Sequence, residues 1–164
     1  MTLTIGTKLP DAALILMTEN GPEQVSLSEK LKDRKVIIFA LPGAFTPTCS
    51  VAHVPSFIRT ADKLTENGVD EIICISVNDA YVMGEWGKST GGTAAGITFL
   101  ADADSSFTTA IGMKFDAAAT GLFGRSKRYS MLVENTIITT LNIETARGVC
   151  DLTGGETMLA QITG

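Results

Sequence analysis

Three short apolar runs rich in β-branched residues, Lys35 to Leu41, Glu71 to Val77 and Ile97 to Leu100, are separated by stretches with helical periodicity. That alternation constrains the fold most. Continuous apolar runs of this length read as strands buried on both faces, and strands alternating with helices imply a parallel sheet covered on both sides. Between the first two runs, Val51, Val54, Phe57, Ile58, Ala61 and Leu64 recur at helical spacing, with Pro55 inside the pattern as an expected kink. Asp79 to Ser89 reads as a helix capped by Asn78 or Asp79, and Ser105 to Ile111 as a short helix. Tyr129 to Glu134 and Thr136 to Ile143 read as a hairpin turning at Asn135, and Gly155 to Ile162 as a closing helix. Thr18 to Glu23, Gly91 to Gly96 and Asp116 to Gly121 read as turns or loops.

The expected architecture is α/β: a thioredoxin-like order of elements, with a central mixed sheet flanked by helices and an N-terminal extension. Residues 1–164 show no linker or repeat, so a single domain is expected. The chain has 13 basic and 18 acidic residues, a net charge of −5, which argues against nucleic acid as a partner. No apolar run approaches the ~20 residues of a membrane helix, and the first residues do not resemble a secretory leader. Three cysteines make no disulfide framework, so a reducing, cytoplasmic location is expected.

The chemistry concentrates in Pro42 to Ser50, P-G-A-F-T-P-T-C-S, between a strand and a helix. Proline favours the first helical position and threonine the cap, so Thr46 caps, Pro47 begins the helix and Cys49 is its third residue. The Thr46 hydroxyl is expected to bond a backbone N–H there, close to Cys49. A helix N-terminus welcomes an anion, which favours the nucleophilic thiolate at Cys49. The bland alternative, a small core thiol, fits Cys74 better, inside the apolar run Ile72 to Ile75. His53, the single histidine, stands four residues after Cys49; a Cys–His dyad is one reading, a hydrogen-bonded structural role the favoured one. No Cys-x-x-Cys exists, and Pro55 stands where a phosphatase loop needs arginine. Arg125, Lys127 and Arg128 read by themselves as a solvated basic face.

Pro42-x-x-x-Thr46-x-x-Cys49 resembles the active-site pattern of peroxiredoxins, and P-G-A-F-T-P-T-C that of the type II, atypical two-cysteine subgroup. The likeness continues through His53-Val54-Pro55-Ser56-Phe57, through Ser76-Val77-Asn78-Asp79-Ala80-Tyr81-Val82 with Trp86, and through Leu100-Ala101-Asp102 and Lys127-Arg128-Tyr129-Ser130. It spans Lys35 to Cys150. The resemblance implies a thiol-dependent peroxidase acting on hydrogen peroxide and alkyl hydroperoxides, without metal, haem, flavin or other cofactor. Cys49 would be the peroxidatic cysteine, with Thr46 and Arg128 holding thiolate and peroxide and Pro42 shielding them. Backbone N–H groups from Gly43 onward would assist, and Phe45 and Phe123 would wall the substrate pocket. Cys150, in a polar stretch, is favoured by access as the resolving cysteine; Cys74 is the alternative, and an external thiol the third possibility. Thioredoxin, glutaredoxin or glutathione would complete the cycle, and a homodimer is implied. The competing reading is a non-enzymatic redox sensor switched by oxidation of Cys49.

Overall fold

The computed structural model describes residues 1–164. Its strands are β1 (Ala13–Thr18), β2 (Gly21–Ser26), β3 (Lys35–Ala40), β4 (Glu71–Ser76), β5 (Ile97–Ala101), β6 (Lys114–Ala117), β7 (Leu122–Ser126), β8 (Tyr129–Glu134) and β9 (Ile137–Ile143). The helices are α1 (Leu27–Leu31), α2 (Val54–Glu66), α3 (Ala80–Ser89), α4 (Ser106–Ala110) and α5 (Gly155–Thr163). Seven strands form one mixed sheet in the order β2-β1-β5-β4-β3-β8-β9, and β6 pairs with β7 apart from it. The three apolar runs are the parallel centre, β5-β4-β3, and antiparallel strands flank them on both sides.

Alternation along the central strands divides the core in two. Ile37, Phe39 and Cys74 face Phe57 and Leu64 of α2, Trp86 of α3 and Met158 of α5. Val36, Ile38 and Ile73 face the opposite way, against Leu31 of α1 and Phe107 of α4. The same parity places the site. Tyr129 pairs with Ala40 and joins the second cluster, so Arg128, one residue earlier, emerges on the first face, where Cys49 packs.

The helix after β3 differs from expectation in an informative way. Helical residues begin at Pro47, but Cys49–His53 form a π-helical turn before α2. Val54 N–H bonds back to the Cys49 carbonyl, five residues away. Pro55 has no N–H to give to the Val51 carbonyl, so the ladder yields just upstream rather than bending within α2. Val51 thereby leaves the apolar face and is 77% exposed, while Cys49 and His53 are both buried.

Two segments read as turns prove to be parts of hairpins. Thr18 to Glu23 contains the tight corner between β1 and β2, so the N-terminal extension supplies two strands of the sheet. Asp116 to Gly121 ends β6, makes a 3-10 turn and leads into β7. Gly91 to Gly96 is a run of hydrogen-bonded turns, including Thr93 N–H to Gly87 O at 3.0 Å and Ile97 N–H to Gly92 O at 3.0 Å. Turn residues signalled the reversals, but Gly21 and Pro22 at the start of β2 and the small residues Ala117 to Gly121 from the end of β6 to β7 hid the pairing.

Helix α5 is held against α2 by close backbone approach. Gly155 N–H donates to Ser56 Oγ at 2.9 Å, and a Cβ at Gly155 would collide with the Ser56 carbonyl and the Thr60 hydroxyl. Gly155→Ala is therefore expected to destabilise the protein by roughly 1–3 kcal/mol, read as a lower denaturant midpoint with an unchanged slope.

Candidate active site

Four segments converge on Cys49. The loop after β3 brings Pro42 to Thr46, the π turn carries Cys49 and His53, the approach to β8 carries Arg128, and the loop after β9 brings Glu144 to Gly154. The first loop turns sharply because Phe45 adopts a left-handed backbone, φ 64°. Its Ala44 N–H is tied to Asn78 Oδ1 at 3.0 Å, and Asn78 in turn accepts from Ser76 Oγ at 2.7 Å. Arg125 Nη1 donates to the Pro42 carbonyl at 3.0 Å and occupies the space a side chain at Gly43 would need. Neither Asn78 nor Arg125 was expected to act in this way. Asn78 was legible only as a helix cap, and Arg125 only as part of a basic cluster.

Thr46 behaves differently from a simple cap. Its backbone carbonyl accepts from Ser50 N–H at 3.0 Å, but its hydroxyl donates to the Gly43 carbonyl at 2.7 Å instead of accepting from the first helical turn. With its proton engaged, the Thr46 oxygen keeps its lone pairs for an incoming O–H donor.

Arg128 is the centre of the site. It is only 5% exposed. Nη2 donates to Cys49 Sγ at 3.3 Å, and Nη1 donates to His53 Nδ1 at 2.9 Å. The other ring nitrogen of His53, Nε2, lies 3.0 Å from the Thr153 carbonyl. A carbonyl can only accept, so Nε2 carries the proton and Nδ1 offers its lone pair to Arg128. His53 is thus neutral. Burial and the Arg128 charge hold it down at about 3, against the Thr153 carbonyl, which favours the charged ring. Its lone pair is committed to the guanidinium, so the Cys–His dyad does not form. The ring is further fixed between Phe39, centroid 4.9 Å away, and Phe57, 5.8 Å away.

The loop after β9 is drawn in by Glu144. Its carboxylate accepts from the N–H groups of Asp151, Leu152 and Thr153 and, at 2.7 Å, from the Thr153 hydroxyl. Burial opposes the charge, but these donors outweigh it and hold the carboxyl below its usual range. Cys150 is half-buried on this loop, with Sγ 3.8 Å from Thr153 Oγ1. Burial pushes its thiol up, only partly offset by Thr153 and Arg128. Cys74 lies in β4 between Phe39 and Phe99 of the neighbouring strands, wholly buried, and burial pushes its thiol well up.

Beside Arg128 are two cavities. One, of about 320 Å³, is lined by Pro42, Thr46, Phe115 and Leu122 among others. The second, of about 350 Å³, runs under the loop after β9. Phe45 and Phe123, expected to wall a peroxide pocket, are 58% and 64% exposed and line neither cavity. The apolar lining comes instead from Phe115 and Leu122, on the hairpin that the sequence did not reveal. Trp86 is a core residue, its indole N–H bonded to Ser50 Oγ at 3.0 Å and its ring edge-on to Phe99.

A buried thiol, an arginine locked upon it and a threonine with free lone pairs form one arrangement in one chain segment order. The redoxin family model matches residues 4–159. Peroxiredoxin-2D of Arabidopsis thaliana is 43% identical, with 87% of this chain and 88% of that protein aligned. Peroxiredoxin-2C of Oryza sativa subsp. japonica is 40% identical over 96% of each. The chain belongs to the peroxiredoxins. It is of their type II kind, an oxidoreductase with thiol peroxidase function. The fold agrees: the crystal structure of reduced Prx3 from Vibrio vulnificus in complex with hydrogen peroxide superposes with a TM-score of 0.91 at 44% identity, covering 98% of this chain and 99% of that one. Chloroplastic and mitochondrial peroxiredoxins are among the similar plant proteins. No helix here is long and apolar enough to cross a membrane.

The lone histidine makes its role measurable. Its folded value, about 3, lies below the ordinary 6.5. The unfolded chain therefore takes up the proton first, and the His53 contribution to stability is whole above 6.5 and lost as pH falls towards 3. Nuclear magnetic resonance should find the ring neutral throughout the mildly acid range. His53→Ala should slow oxidation of Cys49 by roughly a hundredfold through misplacement of Arg128. His53→Gln, which can accept from Arg128 and donate to Thr153, should restore most of the rate and flatten the acid loss of stability.

Proposed function

We propose that Cys49 is the peroxidatic cysteine and that the protein reduces hydrogen peroxide and alkyl hydroperoxides to water and alcohols. The observation that carries this reading is the guanidinium of Arg128, with one nitrogen 3.3 Å from Cys49 Sγ and the other locked by His53. The thiolate attacks the near oxygen of the peroxide, the O–O bond breaks, and the far oxygen leaves with a proton as water or alcohol. Cys49 is left as a sulfenic acid. Negative charge moves from sulfur to the departing oxygen, and a preorganised cation beside both lowers the barrier. The Thr46 oxygen accepts the peroxide O–H, and Pro42 covers the sulfur from solvent; both line the smaller cavity with Arg128. The Gly43 carbonyl orients Thr46.

Of the chain's own thiols, Cys150 is the better candidate to resolve the sulfenic acid. Its loop already touches the start of the Cys49 helix, where the Thr48 hydroxyl donates to the Gly148 carbonyl at 3.2 Å. Cys74 would have to leave the middle of the sheet. Thioredoxin, glutaredoxin or glutathione then returns the enzyme to its reduced state, in a reducing compartment such as the cytoplasm. A homodimer is supported by Phe45, Val51 and Tyr81, large apolar side chains that the single chain leaves exposed.

Cys49→Ser should abolish peroxide consumption; retained turnover would refute the assignment. Arg128→Gln should slow peroxide attack by roughly a hundredfold or more while the protein stays folded. Mass spectrometry of the peroxide-treated protein should show Cys49 joined to Cys150. A Cys49–Cys74 bond would reverse the choice of resolving residue.

A further inference from the structure

The central sheet opens at one place. Strands β1 and β5 are registered only at Ile15–Ala101 and Leu16–Leu100, although β1 runs on to Thr18 and β5 begins at Ile97. Every other pair of neighbours in that sheet is registered over at least five residues. Continued, the ladder would set Met17 against Phe99 and Thr18 against Thr98. A cavity of about 510 Å³ stands there instead, with Leu16 to Glu19 on one side and Ile97 to Phe99 on the other. It is larger than either cavity beside Arg128 and shares no lining residue with them. Volumes in this range hold small organic ligands. Helices reach the gap from both faces of the sheet, α3 with Gly84 and Lys88 and α1 with Lys30. The walls are apolar where the strands part, at Leu16, Met17, Ile97 and Phe99, and charge collects at the rim. Lys30 is tied to Glu71 at 3.0 Å, and Glu71 also holds Arg34 at 2.8 Å and the Thr98 hydroxyl at 2.7 Å. Lys88 takes part in none of the ion pairs of the protein. Lys30, Arg34 and Lys88 set against Glu71 and Glu19 leave one positive charge uncompensated.

We propose that this cavity binds a small amphipathic carboxylate, a monoanion with an apolar body. The apolar body lies between the parted strands, against Met17, Ile97 and Phe99. The carboxylate is met at the end of α3 by Lys88 and by the Thr93 hydroxyl, which lies against Gly87. The last carbonyls of α3 would repel an anion if bare, but they are covered. The Ser89 and Thr90 hydroxyls donate to the Trp86 carbonyl, Thr93 N–H to that of Gly87 and Gly91 N–H to that of Lys88. Glu19 disfavours a second negative charge on the ligand. The cavity is separate from the Cys49 chemistry, but one chromophore stands between them. Phe99 on the cavity wall is edge-on to Trp86, ring centroids 5.7 Å apart. Trp86 is the single tryptophan, and its indole N–H is bonded to Ser50 Oγ, beside Cys49. Occupancy of the cavity is therefore readable from Trp86.

The test is a titration of the reduced full chain with octanoate, followed by Trp86 fluorescence and by nuclear magnetic resonance of methyl groups. Octanoate should give a saturable change with a dissociation constant of roughly a millimolar or lower, and should shift the methyl signals of Met17 and Ile97. Octanol keeps the chain and loses the charge, and should bind about tenfold more weakly, as should octanoate to the Lys88→Gln protein. Lys88→Arg should retain binding, and high salt should weaken it. Lys88 is exposed, so both variants keep the fold. Oxidation of Cys49 by hydrogen peroxide should proceed at an unchanged rate with octanoate bound. The absence of a saturable change, equal binding of octanol and octanoate, or binding that survives Lys88→Gln would each overturn the proposal. So would methyl shifts confined to Thr46 and Leu122 with slowed oxidation of Cys49, which would place the octanoate beside Arg128.

Discussion

A positive charge buried in an apolar core is the constraint around which this protein is organised. Moving a guanidinium out of water costs several kcal/mol unless its donors are met. Arg128 meets that demand in part, with the Cys49 sulfur on one terminal nitrogen and a neutral imidazole on the other, while its Nε–H has no partner. The same guanidinium holds both the sulfur and the imidazole, so their positions are set together. The buried arginine, the Cys49 sulfur and the His53 ring are thus one device.

That device requires His53 to be a bystander in proton transfer and essential in geometry. A protonated ring would place a second cation beside Arg128 and lose the acceptor that holds it. The Thr153 carbonyl prevents this by demanding the N–H of the far nitrogen. Thr153 in turn is held by Glu144, so a surface carboxylate reaches the sulfur through a chain of three hydrogen-bonded groups. The loop that carries Cys150 is therefore part of the support of the active site.

The π turn explains how Cys49 and His53 both face inward. The missing N–H of Pro55 widens the turn by one residue, and Val51 is expelled to the surface. Helical periodicity alone had put Val51 in the core. The strand pattern was more readable, since β3, β4, β5, β8 and β9 stand close to where β-branched runs and the Asn135 turn put them. The pairs β1–β2 and β6–β7 were not readable. β2, β6 and β7 are short and carry polar residues or glycine, so β1, though apolar, lacked a recognisable partner strand. Missing β6–β7 had a direct consequence at the site. Phe115 and Leu122 line the cavity, and the expected aromatic residues, Phe45 and Phe123, stand exposed.

By itself the sequence determined the parallel centre of the sheet, the start of a helix at Pro47 and a candidate nucleophile at its third residue. Each of these is local: apolar runs, a proline and a cap act within a few residues of one another. Only the tertiary structure decided which cation meets the Cys49 sulfur and which way the histidine is protonated. Those depend on strand parity at β8 and on a carbonyl 100 residues along the chain from His53, distances at which local propensity carries no information. The helix start makes Cys49 a candidate; the buried cation, brought by the sheet, makes it a site.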